Sequence, residues 1–487
     1  MEASLKLAFS RLTGLAATAA ALAFSTCTYA NTAQENALVL QNVTLLDLSG
    51  ASAAVQPAST VVIKEGLIAY AGPGDDAPLP KAAQVIDGQG MTVMPGLSDM
   101  HVHVWDEASL GAYLAHGVTT IRNMSGMPFH LDMQRRIEDG DLIGPRLFTT
   151  GPILNSQGAN AQINHQMVET AKEARDAVAG QTKAGFTTLK VYSNLKRDAY
   201  AAILEEADKR GMTITGHTPE GARLEGMPHD RPFTIAFEEI LDDRFETIEH
   251  VESILWHGLA DSMDEAAARK LAVRIAASGT PVTPTLVAHH NLVMMARTKG
   301  RFASRPGSET LNPVTQATEK PYIAAWSKQD AAIHEAKDAW LGRFTRTLDE
   351  AGVMLVTGSD AGIFSNIPGQ SLIEELDLMR RGGMSNAAIL KAATTNAARV
   401  LGESGKSGCL SHGCRADIVL LGCNPLAAIA CTRHVRGVVR AGRWFDAAAL
   451  NELLAAAAQP DVKRTIANLT EGMAAQGTPL DPAALGL

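Results

Sequence analysis

The sequence predicts an α/β protein in which a (β/α)8 TIM barrel is joined to a small β-sandwich domain built from both ends of the chain. Between about residues 96 and 405, eight candidate strands alternate with amphipathic helical stretches, which favours a parallel barrel. Strand-like alternation of apolar residues precedes this region and returns after it. Polar residues fall at the ends of the candidate barrel strands, where the chemistry of such barrels lies.

Length and composition are those of an ordinary globular protein. The 487 residues are 46% hydrophobic and 20% charged, enough for one large domain and a smaller one with ample core. The formal net charge is −9 and no basic stripe stands out, which argues against a nucleic-acid partner. This acidic balance says little about a small-molecule substrate.

The first thirty residues have the pattern of a signal peptide. Lys6 and Arg11 give a basic start, residues 12–24 are apolar and rich in alanine, and Thr28-Tyr-Ala30 suits a cleavage site. An uncleaved anchor is the alternative, but the apolar run is too short to span a bilayer comfortably. We therefore expect residues 1–30 to be removed, leaving a secreted, periplasmic protein that is not attached to a membrane.

The sheet domain is expected to combine residues 37–95 with residues 406–447. Apolar alternation marks strands within residues 37–46 and 60–70, and again within residues 416–421 and 435–440. Residues 448–487 have an alanine-rich, helical composition. They are predicted to form a helical tail that packs on the outside of the fold.

The barrel is expected to occupy residues 96–405. Its eight candidate strands are Leu97–Val104, Val118–Asn123, Arg146–Thr150, Phe186–Tyr192, Thr213–His217, Thr247–His250, Pro281–Leu286 and Met354–Asp360. The longest connection runs from residue 287 to about residue 340, after the seventh strand. Connections of this length often form lids or carry helices of their own, so this one is expected to cover the pocket.

Metal-ligating side chains recur where these strands end. The candidate ligands are His101 and His103 on the first strand, Lys190 on the fourth, His217 on the fifth, His250 on the sixth and Asp360 on the eighth. Imidazoles and carboxylates are preferred ligands for zinc and related metals. Side chains alternate along a strand, and this alternation agrees with inward-facing ligands on three strands. On the sixth strand it fails, because Glu249 would then face outward.

Lys190 is the unexpected member of this set. An ammonium group would repel a dication and is costly to bury, but a lysine shifts its pKa readily when it is buried. The neutral amine can react with carbon dioxide to give a carbamate, an oxygen ligand with the charge of a carboxylate. The sequence therefore indicates a two-metal hydrolase with a modified lysine.

Four cysteines fall in one short stretch near the C-terminus: Cys409, Cys414, Cys423 and Cys431. In an oxidising compartment they could form one or two disulfides. The alternative is four small buried apolar residues. The pairing is left open by the sequence.

Several segments together resemble a known family. The run from Val93 to His103, the residue His217, and the segments Ile248-Glu-His250 and Gly358-Ser-Asp360 resemble the amidohydrolase superfamily, in its imidazolonepropionase-related, prolidase-like branch. Residues 392–401 and 408–417 also match that branch. Its usual Arg-Asp at the end of the second strand reads Arg122-Asn123 here, and its usual lysine near Gly413 is replaced by Cys414-Arg415.

The resemblance implies a role for each ligand. His101, His103 and Asp360 would hold one divalent metal, and His217 and His250 would hold a second. Carboxylated Lys190 would bridge the two ions together with a hydroxide, and zinc is the default metal. Asp360 would also take up the hydroxide proton and pass it to the leaving amine.

The predicted activity is hydrolysis of an amide (C–N) bond in a small substrate such as a dipeptide or an N-acyl amino acid. Tyr192 and His165 are candidate substrate contacts. The same metal pair could serve a lactonase, aryl esterase or organophosphate hydrolase, whereas a deaminase or mononuclear imidazolonase would not need Lys190. The alternative from another class is a non-catalytic barrel scaffold. A homo-oligomer is expected, since many relatives form one.

Overall fold

A computed structural model describes residues 37–50, 52–159, 161–221 and 233–481. The predicted signal peptide, residues 1–30, lies outside the described residues. All of the described residues belong to one compact unit, Gln34–Leu487. The domain boundaries drawn from the sequence, at 95/96, 405/406 and 447/448, stay predictions.

The described residues contain both strands and helices in the order that the sequence predicts, with strands at both ends of the barrel region. The strands are β1 (Ala37–Asp47), β2 (Ala54–Lys64), β3 (Leu67–Pro73), β4 (Ala83–Asp87), β5 (Thr92–Pro95), β6 (Leu97–Val102), β7 (Val118–Asn123), β8 (Arg146–Thr149), β9 (Ile153–Asn155), β10 (Gln166–Met167), β11 (Thr188–Val191), β12 (Thr213–Gly216), β13 (Ile248–Glu249), β14 (Val282–Thr283), β15 (Ile418–Leu421), β16 (Val435–Arg440) and β17 (Arg443–Asp446).

Helices follow most of the strands in the middle of the chain. They are α1 (Leu110–Ala115), α2 (Pro128–Glu138), α3 (Ala171–Ala184), α4 (Arg197–Arg210), α5 (Phe237–Ile240), α6 (Val251–Leu259), α7 (Glu265–Ser278), α8 (Leu286–Thr298), α9 (Pro313–Ser327), α10 (Ala331–Glu350), α11 (Gln370–Arg381), α12 (Asn386–Ala392), α13 (Thr395–Val400), α14 (Ala447–Ala457) and α15 (Val462–Ala475). No helix among the described residues has the length and apolarity to cross a bilayer.

The two ends of the chain meet in one mixed sheet of eight strands. Its order is β17-β16-β15-β5-β1-β2-β3, and β4 pairs with β1 off this path. One contact between the two ends is the antiparallel pairing of β15 with β5, in which Ile418 faces Pro95 and Leu421 faces Thr92. Buried apolar side chains from both ends, including Val61 and Val439, form its core. Strands from both ends of the chain therefore join in one mixed sheet, as the sequence predicts.

The middle of the chain forms parallel sheets. Strands β6, β7 and β8 form one of them, and β9, β11, β12, β13 and β14 follow in order in the other. The third predicted strand, Arg146–Thr150, is present as β8, which pairs with β7, and an additional short strand, β9, follows it and pairs with β11. Isolated bridges join Val282 to Leu355 and Val102 to Ala361, so the segment that ends in Asp360 runs between β14 and β6.

The seventh and eighth predicted strands depart most from the ranges expected from the sequence. The seventh, expected over Pro281–Leu286, consists of Val282–Thr283, and α8 begins at Leu286. Pro284 has no backbone N–H to extend the ladder, and Thr285 has a left-handed φ of 50°. The eighth, expected over Met354–Asp360, has only bridge contacts at Leu355 and Ala361. The long connection that follows the seventh strand carries α8, α9 and the first half of α10.

Candidate metal centre

Six side chains converge at the carboxyl ends of the parallel strands. His101 lies within β6, and His103 is the first residue after the end of that strand. Lys190 lies in β11. His217 directly follows β12, and His250 directly follows β13. Asp360 precedes the bridge residue Ala361. All are buried except His250, which is partly buried. These are the six positions that the sequence singles out as ligands.

Three of them form a compact metal-binding group. The ligand atoms of His101, His103 and Asp360 all lie within 4.8 Å of one another. Oδ1 of Asp360 is 3.0 Å from Nε2 of His103 and 3.3 Å from Nε2 of His101. Nitrogen and oxygen atoms at this spacing can share one divalent ion.

The remaining three side chains extend this group. Nζ of Lys190 lies 3.3 Å from Nε2 of His101. The ring of His250 lies 4.6 Å from that of His101 and 4.4 Å from that of His217, measured between centroids. The six side chains therefore form one continuous cluster.

Protonation in this cluster suits metal binding. Burial lowers the pKa of all four imidazoles, and it does so most strongly for His101 and His217. Burial alone would raise the pKa of Asp360, but the hydrogen bond and the charge of His103 hold it below its ordinary value. Burial also lowers the pKa of Lys190 to about 8. Neutral imidazoles and an ionised carboxylate are the forms that bind metals, so these residues fit a metal site.

Each of the four histidines is oriented in the same way. Nδ1 contacts a polar side chain outside the cluster: Glu249 at 2.7 Å for His101, Ser125 at 2.8 Å for His103, Ser253 at 3.1 Å for His217 and Thr285 at 2.6 Å for His250. This arrangement leaves Nε2 as the ligand atom of every ring. Such partners fix the ring plane and the tautomer of metal-binding histidines. None of these four hydrogen-bond partners was predicted from the sequence.

The backbone explains why alternation fails on the sixth strand. His250 has a φ of 66° and Asp360 a φ of 55°, both in the left-handed region. At His250 the chain leaves the strand, so both Glu249 and His250 face the cluster. Non-glycine residues in such conformations cost about 1–3 kcal/mol and concentrate at functional sites.

Arg122 packs against Glu249 and does not line the cavity that opens over the ligand cluster. Its Nη2 lies 2.8 Å from Oε1 of Glu249, and its Nε donates to the carbonyl of Met100 at 2.9 Å. The side chain is 2% exposed and is absent from the cavity lining. Arg122 therefore pairs with buried Glu249, and its guanidinium group is not part of the cavity wall.

A cavity of about 580 Å³ opens over the ligand cluster. Tyr192 and His165 both line it. The ring of Tyr192 lies 3.9 Å from that of His217 and 4.6 Å from that of His165. Both substrate candidates are thus beside the ligands, and their role stays a prediction.

Two further parts of the chain contribute side chains to the cavity wall. From the long connection come Leu292, Val314 and Tyr322, together with the carboxyl group of Glu319; from the tail come Leu469, Met473 and Leu480. The tail was expected on the outside of the fold, and for α15 this is wrong. Val462, Ile466, Leu469 and Met473 form an apolar stripe at helical spacing that could have revealed the buried face.

The four C-terminal cysteines pair locally. Cys409 is bonded to Cys414 and Cys423 to Cys431, with sequence separations of 5 and 8 residues. None of the four lines the cavity.

Parallel strands with a buried His-His-Asp group at their carboxyl ends define the class of metal-dependent hydrolases. The Amidohydrolase family model matches residues 92–445, and the chain belongs to this family. The resemblance found in the sequence is thereby confirmed.

Individual relatives are distant but cover most of the chain. The imidazolonepropionase of Idiomarina loihiensis is 25% identical over 398 residues, which are 76% of this chain and 87% of the relative. Bottromycin amidohydrolase has a solved structure with a TM-score of 0.68 and 25% identity, covering 86% of this chain and 90% of its own. The structure of a putative prolidase from Bifidobacterium longum has a TM-score of 0.62 and 24% identity, and the match covers 87% of this chain and 99% of the prolidase chain.

Proposed function

We propose that the protein is a secreted binuclear metallohydrolase that cleaves the amide bond of a small substrate, such as a dipeptide or an N-acyl amino acid. The observation that carries this proposal is the position of Lys190. Its Nζ is buried within 3.3 Å of His101 Nε2, inside the cluster formed by the other five candidate ligands. An ordinary lysine there would weaken the metal site, because its positive charge would repel the cation.

Carboxylation of Lys190 resolves this conflict. The neutral amine adds carbon dioxide and loses a proton, which gives an anionic carbamate with two oxygen atoms. His101, His103 and Asp360 would then hold one ion, His217 and His250 the second, and the carbamate both. Zinc suits such nitrogen and oxygen donors. When bound, two such ions supply Lewis acidity and an acidified water molecule.

The protein side chains supply proton transfer and orientation. Asp360 has a lowered pKa and is ionised at neutral pH, so it can accept a proton from the attacking water and return it to the leaving nitrogen. Burial raises the pKa of Tyr192, which keeps its hydroxyl group protonated as a hydrogen-bond donor. His165 lines the cavity, and its Nε2 is buried without a hydrogen-bond partner among the described residues, which would suit a bond to substrate.

The family and its members favour amide hydrolysis over the other reactions that this ligand set could serve. Two of the solved structures with the same fold are described as an amidohydrolase and a putative prolidase. Lactonase, aryl esterase and organophosphate hydrolase activities use the same kind of metal pair and are tested alongside. A non-catalytic scaffold is disfavoured because all six ligand positions are filled.

The cellular setting, architecture and assembly are proposed on separate grounds. Two disulfides suit the oxidising periplasm. Bridges between Val282 and Leu355 and between Val102 and Ala361 support a closed (β/α)8 barrel, with the sheet domain folded as a β-sandwich. The homo-oligomer expected from the resemblance is checked by light scattering.

Metal stoichiometry tests the proposal. The Lys190→Ala variant should fall from two bound metals towards one or none, whereas Lys196→Ala, which removes an exposed lysine paired with Glu169, should keep both. Turnover is measured on dipeptides, N-acyl amino acids, lactones, aryl esters and phosphotriesters. If the Lys190→Ala variant retains two metals, the proposal that carboxylated Lys190 holds both ions is contradicted. If the wild-type protein with two bound metals turns over no substrate in the panel, the proposed enzymatic activity is contradicted.

A further inference from the structure

The C-terminal helix α15 forms one side of the cavity above the metal ligands. Leu469 and Met473 on this helix, and Leu480 beyond it, line the cavity and are 6%, 3% and 8% exposed. They pack with Trp105 and Val314 in one apolar cluster, to which Ile363 adds its side chain. We call these six residues the C-terminal wall.

The helix is fixed to the barrel at several points. Nε and Nη2 of Arg464 donate to the two carboxylate oxygens of Asp106 at 2.7 and 2.8 Å, and Asp106 is 1% exposed. Nδ2 of Asn312 donates to Oγ1 of Thr465 at 2.9 Å. Nε2 of Gln476 donates to the carbonyl of Asn164 at 3.1 Å. These bonds join the tail to the connections that follow β6, β9 and β14, so it is a built part of the site.

The wall lies directly beside the ligands. Trp105 follows the ligand His103 by two residues, and the two rings are nearly parallel with centroids 6.1 Å apart. Nε1 of Trp105 donates to the carbonyl of Gly362 at 3.0 Å, within the loop that follows Asp360. Ile363 belongs to that loop. A substrate whose scissile bond reaches Asp360 therefore places one of its substituents against this wall.

The wall differs in chemistry from the other side of the cavity. None of its six residues carries a charge, and its only polar hydrogen, on Trp105, is already donated to Gly362. Carboxyl groups of Glu252 and Glu319 line the cavity elsewhere. A volume of about 580 Å³ lies in the range of pockets that enclose ligands much larger than one amide group.

We propose that the C-terminal wall binds a bulky apolar group next to the scissile amide, so that the enzyme selects substrates with a long acyl chain or a large apolar side chain over small ones. This proposal rests on the proposed function, because it concerns the same cavity. Each methylene removed from water contributes about 0.8 kcal/mol, which corresponds to roughly a fourfold gain in affinity.

Straight-chain alkyl hydroxamates and the matching primary amides, from two to eight carbons, serve as binding probes for the metal-loaded full chain in calorimetry. For wild type, Kd should fall about three- to fourfold per added methylene. In Leu469→Ala and Met473→Ala, the ratio of the two-carbon Kd to the eight-carbon Kd should drop at least tenfold. Met473→Trp, which fills the cavity, should weaken the eight-carbon probe more than the two-carbon probe.

Leu454→Ala is the matched control, because it makes the same substitution in α14, and Leu454 does not line the cavity. It should keep the wild-type ratio. The proposal is overturned if wild type shows no dependence on chain length, or if Leu454→Ala lowers the ratio as much as the wall variants.

Chelation separates the two proposals. If hydroxamates bind equally well with and without EDTA, the metal-dependent function fails. The dependence of amide binding on chain length, and its loss in Leu469→Ala and Met473→Ala, would still support the wall.

Discussion

Nδ1 of His101 and Oε2 of Glu249 lie 2.7 Å apart, and both side chains are fully buried. The carboxylate therefore fixes the imidazole with Nε2 directed at Asp360 and Lys190. Glu249 is itself held by Arg122 and by the hydroxyl group of Thr215, at 2.8 and 3.1 Å. Because Glu249 also immediately precedes His250, one carboxylate links the ligands of the two proposed metal positions.

Replacing this carboxylate should weaken metal binding without removing a ligand. The Glu249→Gln variant keeps the side-chain size but loses the charge that orients His101, so metal affinity should fall about 10–100-fold. Competition with a chelator of known affinity measures the change. Glu246→Gln is the control, since Glu246 contacts Arg122 at 3.4 Å but none of the candidate ligands. Equal losses in both variants would show that Glu249 acts only through Arg122.

The ion pair between Arg464 and Asp106 should stabilise the folded protein. The Arg464→Ala variant leaves the 1%-exposed carboxylate of Asp106 without its guanidinium partner, and the free energy of unfolding should drop by roughly 1–3 kcal/mol. Arg464 is 38% exposed, which reduces the loss below that of a fully buried pair. Urea unfolding of this variant is compared with that of Lys463→Ala, an exposed neighbour on α15. A loss no larger than in Lys463→Ala would refute the prediction.

The ligand positions could be predicted because parallel strands bring their carboxyl ends to one edge. His101, His103 and Lys190 also obey the alternation of side chains, so their direction followed from the sequence. Glu249 and His250 do not obey it, since His250 has a left-handed φ of 66°. No local pattern in the chain specifies such a residue when it is not glycine.

The hydrogen-bond partners of the ligands and the position of the C-terminal tail could not be predicted from the sequence, for a different reason. Ser125, Ser253 and Thr285 are ordinary hydroxyl residues, and only the folded structure brings them to the Nδ1 atoms of histidines. The apolar stripe of α15 can be recognised in the sequence, but amphipathicity indicates only that one face of the helix is buried. What it packs against depends on contacts such as Arg464 with Asp106, which are more than 350 residues apart in sequence.

The disulfide between Cys423 and Cys431 should add stability by restricting the unfolded chain. A bridge that closes a loop of this length contributes about 2–3 kcal/mol in the chain-entropy model. The Cys423→Ala, Cys431→Ala double variant should lose this amount in urea unfolding while keeping its metal content. Peptide mapping of the unreduced protein checks the pairing itself. Recovery of a peptide that links Cys423 to Cys409 or Cys414 would contradict it.

Glu375 on α11 should make stability fall as the pH rises. Its side chain is fully buried, and its Oε2 accepts a hydrogen bond from the backbone N–H of Val287 at 2.7 Å. Burial raises the pKa of Glu375 to about 8. Above pH 4.5 the unfolded chain ionises at this residue while the folded protein keeps its proton, so folding loses free energy until the pH passes about 8.

Between pH 5 and pH 8 this group should cost wild type on the order of 2–4 kcal/mol of unfolding free energy. The Glu375→Gln variant is neutral throughout and can still accept the bond from Val287, so it should lose less stability over the same interval. Urea unfolding of metal-free protein at both pH values measures the difference, because ligand protonation then contributes equally to each variant. Glu374→Gln is the control, as that carboxylate pairs with Arg305 at 3.0 Å and should leave the wild-type slope in place. If Glu375→Gln and wild type lose the same free energy, Glu375 does not carry a buried proton.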